Sequence, residues 1–211
     1  VLAGVGAAGS ACARILMKYG VKNIIGYDRH GALHNGRNYG DNESKIWFAK
    51  NTNPMEITGS LNEGIEGADM FLGLAAPSLL TVDDVSRMSS NAIVFALSNP
   101  DPEIWPEEIP DNVLVMATGR TDYPNQINNS LCFPGLFRGV LDVRSSEITD
   151  AMKISAAEGI ASVIPDSNIS ADFIIPSVFD QNVARTVADC VAESAISCGV
   201  ALRRRRSRDE V

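Results

Sequence analysis

Six residues near the start of the sequence have the types and spacing of a phosphate-binding loop; they run Gly-Val-Gly-Ala-Ala-Gly after a short apolar stretch. Gly4 permits a tight turn, Gly6 lets the backbone approach a pyrophosphate, and Gly9 lets the following helix pack closely on a sheet. The helix start, at Ala7 and Ala8, offers free N–H groups and a favourable dipole. The pattern predicts that these five residues hold a dinucleotide, and a simple structural turn is the alternative.

An acidic residue at the end of the next predicted strand supports this hypothesis. Asp28 lies 19 residues after Gly9, where a carboxylate can accept hydrogen bonds from the hydroxyls of an adenosine ribose. The same carboxylate would repel the extra phosphate of NADP, whereas Arg29, the next residue, could bind that phosphate. The pair favours NAD as the cofactor and leaves NADP open.

Two polar segments follow later strands. Residues 98–103 (SNPDPE) come directly after an apolar strand, and Asn99 can both donate and accept hydrogen bonds, which suits a carboxamide or a hydroxy acid. A plain turn explains the same residues equally well, because Asn-Pro is a common turn dipeptide. Residues 123–129 (YPNQINN) carry four amides, which must either cap the backbone or face a ligand, since an unpaired buried amide is costly.

No catalytic residue is predicted in this chain. Hydride transfer from a hydroxy acid needs an acid or base near the nicotinamide, but the two histidines, His30 and His34, follow the second strand at the adenosine end. We interpret both as loop residues. The carboxylate pairs Asp83–Asp84 and Glu107–Glu108 look like exposed helix starts, so no metal ligand is predicted either.

Strands alternate with helices over the first two thirds of the chain, which predicts an α/β fold, a Rossmann-type doubly wound parallel sheet with helices on both faces. A single domain is expected over residues 1–202. The predicted strands are 1–3, 23–28, 70–74, 92–97 and 113–117. The predicted helices are 8–19, 44–50, 61–66, a helix capped by Thr81 and running to residue 88, 133–143, 149–163 and 181–198.

Composition narrows the function classes. The net charge of −8 disfavours a nucleic-acid partner, and no stretch is long and apolar enough to suggest a membrane partner. The four cysteines show no metal-binding spacing, and reduced thiols favour a cytoplasmic location. The arginine-rich end, residues 203–211, is expected to be a disordered tail.

Four segments together resemble the nicotinamide-binding domain of malic enzymes, particularly the bacterial short-chain type. They are GVGAAGSACARIL, YDRHG, ALSNPDPEI and ATGRTDYPNQINNSLCFPGLFRGVLD. The resemblance implies oxidation and decarboxylation of L-malate to pyruvate with NAD or NADP and a bound Mg²⁺ or Mn²⁺. It further implies that Asn99 and Asn129 contact the nicotinamide and malate, that Asn128 contacts malate, and that the intact enzyme is a homo-oligomer.

The resemblance also implies a missing part. The family's catalytic tyrosine and lysine and its acidic metal ligands precede the glycine loop, and none is present here. Only three residues precede Gly4, so the chain is expected to begin inside the first strand, after an absent catalytic domain. We expect it to bind cofactor without turning over malate.

Two alternatives remain at this point. A non-catalytic sensor or regulatory module would need the glycine loop and Asp28, but not the asparagine-rich segments. Another dehydrogenase with a Rossmann half, such as an amino-acid dehydrogenase, is disfavoured by the SNPDPE and YPNQINN segments.

Overall fold

The computed structural model describes residues 1–203, which contain six strands and seven α-helices. The strands are β1 (Leu2–Ala3), β2 (Gly26–Asp28), β3 (Gly31–Ala32), β4 (Met70–Gly73), β5 (Ala92–Ala96) and β6 (Val113–Thr118). The helices are α1 (Ala7–Lys18), α2 (Glu43–Asn51), α3 (Leu61–Gly64), α4 (Val82–Ser86), α5 (Phe133–Asp142), α6 (Asp150–Ala161) and α7 (Gln181–Ser197).

All six strands form one sheet in the order β3-β2-β1-β4-β5-β6. Five strands are parallel, and β3 pairs antiparallel with β2 at the edge. The order reverses direction between β1 and β4, which is where doubly wound sheets open a crevice at the carboxyl ends of their strands.

Helices cover both faces of this sheet, because neighbouring strand residues point to opposite sides. Ala3 and Phe71 pack with Ile65 beside α3 and with Val85 of α4. Leu2 and its neighbour Leu72 pack instead with Ala13 of α1 and Phe48 of α2. The expected α/β sheet with helices on both faces is therefore confirmed.

The contacts divide the chain into two compact units, one from Val1 to Ile127 and one that begins at Asn128, a division that no linker in the sequence indicated. The sheet lies in the first unit. In the second unit, α5 packs closely on α7: a Cβ at Gly135 or Gly139 would lie 2.6 Å from the nearest α7 atom. The two glycines thus bring the helix backbones together.

Several element boundaries differ from the sequence predictions. Strand β2 begins three residues later than expected, and the short edge strand β3 was not predicted. Thr81 caps α4, as expected, and it forms a capping box with Asp84, but α4 ends at Ser86. Asp84 is buried rather than exposed, since Thr81, Asn62 and Arg87 all donate hydrogen bonds to its carboxylate.

The expected tail lies almost wholly outside the described residues. Arg203 is described, and it donates hydrogen bonds from its backbone N–H to the Val143 carbonyl and from Nε to the Asp142 carbonyl, 3.1 and 2.7 Å away. It is therefore anchored at the end of α5 and is not part of a disordered tail; residues 204–211 lie beyond the description. Within residues 1–203 no helix has the length and hydropathy of a membrane span.

Candidate cofactor-binding site

The glycine loop turns sharply between β1 and α1. Gly4 has a φ of +96°, and a Cβ at this position would lie 2.4 Å from the Leu74 carbonyl oxygen, so only glycine fits. A Cβ at Gly9 would lie 2.2 Å from the Gly4 carbonyl oxygen, which shows how closely α1 approaches the loop. Gly6 differs, because nothing lies within 4 Å of its missing Cβ.

The start of α1 presents backbone donors beside that open space. Gly6 is the N-cap residue and provides no side-chain cap. The first intrahelical hydrogen bond runs from the Ser10 N–H to the Gly6 carbonyl, 3.0 Å away, so the N–H groups of Ala7, Ala8 and Gly9 have no acceptor within the helix. Together with the helix dipole, these donors suit the negative charge of a pyrophosphate.

A cavity of about 680 Å³ lies along this loop, within the size range of small-molecule and cofactor sites. It extends from the glycine loop to the end of β2 and to the segment after β4. Its lining includes seven of the predicted cofactor residues, namely Gly4, Gly6, Ala7, Ala8, Gly9, Asp28 and Arg29.

Asp28 lies at the cavity with its carboxylate already paired. Arg37 Nη2 donates to both carboxylate oxygens at 2.8 and 2.7 Å, Lys45 Nζ donates to Oδ2 at 2.6 Å, and the His30 N–H donates to Oδ1 at 2.9 Å. Burial raises the pKa of Asp28, but the hydrogen bonds from Lys45, Arg37 and His30 outweigh burial and lower the pKa to about 2. The carboxylate is therefore ionised and held in place.

Arg37 and Lys45 are site residues that the sequence analysis missed. Each forms an ion pair with Asp28, and Lys45 also lines the cavity. Arg29 is exposed at the same cavity. One carboxylate and three cations thus give this end of the cavity a positive formal charge, which an isolated Asp28 would not provide.

The amide side chains have different roles. Asn125 is buried and donates to the Met116 carbonyl of β6, and Asn128 Oδ1 accepts from the Ser130 N–H, so both amides hydrogen-bond to the backbone. Asn99 and Asn129 are exposed. Asn99 belongs to the first unit, although it does not line the cavity, and Asn128 and Asn129 belong to the second. Contact of these three residues with nicotinamide or malate stays a prediction.

The described residues, 1–203, were also expected to lack catalytic groups and metal ligands. No three His, Cys, Asp or Glu side chains there come together to hold a metal ion, so the described residues do not fit the Mg²⁺ or Mn²⁺ that the family resemblance implies. His30 is exposed beside Arg29, and His34 shares hydrogen bonds with Tyr39 and Gly36 in the loop before α2. His34 Nδ1 lies 3.9 Å from Glu56 Oε2, and His30 Nε2 accepts a hydrogen bond from Arg29 Nε at 3.1 Å.

A second cavity of about 330 Å³ lies near the amino ends of β1 and β4, where Val1, Gly67 and Met70 contribute to its lining. Ligands of open α/β sheets bind at the carboxyl ends of the strands. The glycine-loop cavity is therefore the better candidate for a cofactor.

Comparison with known protein families shows to which family this chain belongs. The family model described as "Malic enzyme, NAD binding domain" matches residues 2–196. The chain belongs to this family. The match continues through both units, and it includes the glycine loop, Asp28, Asn99, Asn128 and Asn129.

Individual malic enzymes agree with the assignment. The chain is 53% identical to an NAD-dependent malic enzyme of Geobacillus stearothermophilus over 95% of its own length and 42% of that protein. It is 40% identical to an NADP-dependent malic enzyme of Halomonas elongata, with 96% and 51% covered. The chain spans about half the length of these curated relatives.

Solved malic enzyme structures share the fold. The Pyrococcus horikoshii enzyme superposes with a TM-score of 0.89 at 40% identity, covering 97% of this chain and 49% of that one. The Entamoeba histolytica enzyme gives the same TM-score at 34% identity, with 96% and 43% covered. The Rossmann-type fold expected from the sequence is thus confirmed in malic enzymes themselves.

Proposed function

We propose that this chain is the cofactor-binding part of an enzyme that oxidatively decarboxylates L-malate to pyruvate and CO₂. The observation that carries the proposal is the cavity running from the free N–H groups of α1 to the ionised Asp28. Pyrophosphate fits the open space above Gly6, and the adenosine ribose fits beside Asp28. When bound, the nicotinamide of the dinucleotide supplies the hydride acceptor.

The chain's own residues bind and orient the cofactor. Ala7, Ala8 and Gly9 donate backbone N–H groups to the pyrophosphate, and the ion pairs with Arg37 and Lys45 fix the position of the Asp28 carboxylate. Asn99 and Asn129 are available at the surface to contact nicotinamide or malate, as the resemblance implies. Asn128 retains its amide donor for malate after its oxygen has accepted from Ser130.

We propose NAD as the cofactor, with NADP tolerated. The carboxylate of Asp28 favours the ribose diol of NAD. Its charge is neutralised by Arg37 and Lys45, however, so Asp28 repels an added phosphate less than an unpaired carboxylate would. Relatives named for either cofactor support this reading, since the Geobacillus enzyme is NAD-dependent and the Halomonas enzyme NADP-dependent.

The catalytic acid and base and the ligands for Mg²⁺ or Mn²⁺ are proposed to lie in a further catalytic domain. The greater length of the relatives supports this partner. Homo-oligomerisation of the intact enzyme is proposed from the resemblance alone. A reducing, cytoplasmic location is supported by the four free cysteines.

A pure sensor module is the weaker hypothesis, because the family match extends to Asn99 and Asn129.

The chain is expected to bind NAD⁺ without turning over malate. Calorimetric titration with NAD⁺ should give saturable binding, while incubation with L-malate, NAD⁺ and Mn²⁺ should give no increase in absorbance from NADH. Malate-dependent NADH formation by this chain would show that it contains catalytic groups, and absence of any NAD⁺ binding would contradict the cofactor role itself.

A further inference from the structure

Glu103 is a fully buried carboxylate that the cofactor site described above does not include. It ends the SNPDPE segment after β5, and its side chain reaches under the end of β4. A Cβ at Gly73, the last residue of β4, would lie 2.4 Å from the Glu103 carboxyl carbon. The glycine at position 73 therefore leaves the space that this carboxylate occupies.

The two carboxylate oxygens of Glu103 bind two different loops. Oε1 accepts a hydrogen bond from the Ala75 N–H at 3.1 Å, in the segment that follows β4. Oε2 accepts one from the Ser98 N–H at 3.0 Å, in the segment that follows β5. The Glu103 carbonyl also accepts from the Leu80 N–H at 3.0 Å, near the end of the first loop. One residue thus connects two neighbouring loops at the carboxyl edge of the sheet.

The charge of Glu103 is compensated by backbone donors. Within residues 1–203, no lysine or arginine forms an ion pair with it. A buried carboxylate is stable only when hydrogen bonds replace its lost hydration. A glutamine would offer one acceptor oxygen and would turn its NH₂ group toward an N–H, which leaves one backbone donor unpaired.

Both loops lie on the side of the site away from the adenosine. In the sheet order, β2 with Asp28 is on one side of β1, and β4 and β5 are on the other. Leu74, Ala75, Ala76 and Leu79 line the cavity, and Asn99 directly follows Ser98. A dinucleotide held at the glycine loop by its pyrophosphate, with its adenosine beside Asp28, extends its nicotinamide half toward these loops.

We propose that Glu103 is a positioning residue that fixes the loops after β4 and β5 for the nicotinamide half of the cofactor. This role rests on the proposed function, because it presumes that a dinucleotide occupies the cavity. It assigns Glu103 no contact with the cofactor. The residue acts through the backbone of Ala75 and Ser98.

The test compares a whole dinucleotide with its adenosine half. NAD⁺ and AMP are titrated calorimetrically into the wild-type chain, Glu103→Gln, and the control Glu66→Gln, which makes the same chemical change at an exposed residue. Glu103→Gln is expected to weaken NAD⁺ binding by about 10-fold or more while AMP affinity changes by less than about 2-fold. Glu66→Gln should change neither.

A second substitution displaces the Glu103 carboxylate without changing Glu103 itself. Gly73→Ala keeps Glu103 but pushes its carboxyl group out of place, so it should reproduce the loss of NAD⁺ affinity with AMP affinity retained. Equal weakening of NAD⁺ and AMP in both variants would overturn the proposal in favour of a general structural role, and unchanged NAD⁺ affinity would overturn it outright.

Hydrogen exchange of the wild-type chain tests the proposal without depending on the folding of any variant. The Ala75 and Ser98 amides should both be protected from exchange, and NAD⁺ should slow their exchange further while AMP does not. Unprotected amides, or equal effects of the two ligands, would overturn the role of Glu103. A wild-type chain that binds AMP and NAD⁺ equally would overturn it too, whereas one that binds neither would refute the proposed function on which it rests.

Discussion

Replacing Gly6 by valine is expected to abolish NAD⁺ binding while leaving the fold intact. The missing Cβ of Gly6 faces open space, and its backbone is extended, with φ of −100° and ψ of −155°, so the side chain costs the folded chain little. The same side chain would occupy the volume that the pyrophosphate needs beside the α1 amides. We expect NAD⁺ affinity to fall by more than about 100-fold and the unfolding midpoint to move by less than about 2 °C.

Gly9→Ala is the matched comparison in the same loop. Its Cβ would meet the Gly4 carbonyl at 2.2 Å, which forces α1 away from the loop. The expected cost is about 1–3 kcal/mol, or roughly 3–10 °C in the unfolding midpoint for a chain of this size. Calorimetry measures the loss of NAD⁺ affinity, and thermal unfolding measures the loss of stability. If Gly6→Val lowered the midpoint as much as Gly9→Ala, or if it still bound NAD⁺ normally, the assigned role of Gly6 would be wrong.

Asp28→Asn is expected to change both cofactor preference and acid stability. Loss of the carboxylate leaves Arg37 and Lys45 without their shared partner at the cavity, so the added phosphate of NADP should bind better there. The ribose of NAD loses an acceptor at the same time. We expect the ratio of NADP⁺ to NAD⁺ affinity to rise by about 10-fold or more, corresponding to one or more charge-assisted hydrogen bonds, as measured by calorimetric titration.

The pH dependence follows from the lowered pKa of Asp28, about 2 compared with an ordinary value of 3.8. A lowered pKa in the folded state stabilises the fold above the ordinary value, and this contribution is lost as the pH falls from about 4 through 2. The side chain is 9% exposed, and with screening at the cavity mouth we expect about 1–2 kcal/mol. Wild type and Asp28→Asn should therefore differ in unfolding free energy at pH 7 and converge near pH 2.

Asp41→Asn provides the control, because Asp41 is an exposed carboxylate in the loop between β3 and α2. It should alter neither the cofactor ratio nor the difference in stability between pH 7 and pH 2. An Asp28→Asn variant with unchanged preference would mean that Arg37 and Lys45 do not reach the adenosine ribose. A stability difference that persisted at pH 2 would assign the effect to packing instead of charge.

The glycine loop and α1 could be predicted from the sequence because their signals are local. The turn that needs Gly4, the small residues that follow it, and the predicted helix over residues 8–19 all lie within about twenty residues. The partners of Asp28 carry no such signal. Arg37 and Lys45 follow it by 9 and 17 residues, and only the path through β3 and α2 brings them to its carboxylate.

The amides and Glu103 show a second limit of sequence reasoning. Asparagines in a segment between strand and helix can bind the backbone or face a ligand, and the sequence does not separate these roles. In the structure Asn125 and Asn128 both hydrogen-bond to the backbone. Glu103 looked like part of an exposed polar loop, yet it is buried. Its hydrogen-bond partners are backbone N–H groups, which any residue type except proline supplies. Such a partner set leaves no mark in the sequence.

Titration of the ¹⁵N-labelled chain with NAD⁺, followed by amide chemical shifts, would show directly where the dinucleotide binds. We expect saturable shifts at the α1 amides of Ala7, Ala8 and Gly9 and at Asp28 and Ala75, all of which line one cavity. Shifts confined to the second cavity, at residues such as Asn23 and Asp69, or no shifts at all, would contradict a dinucleotide site at the glycine loop.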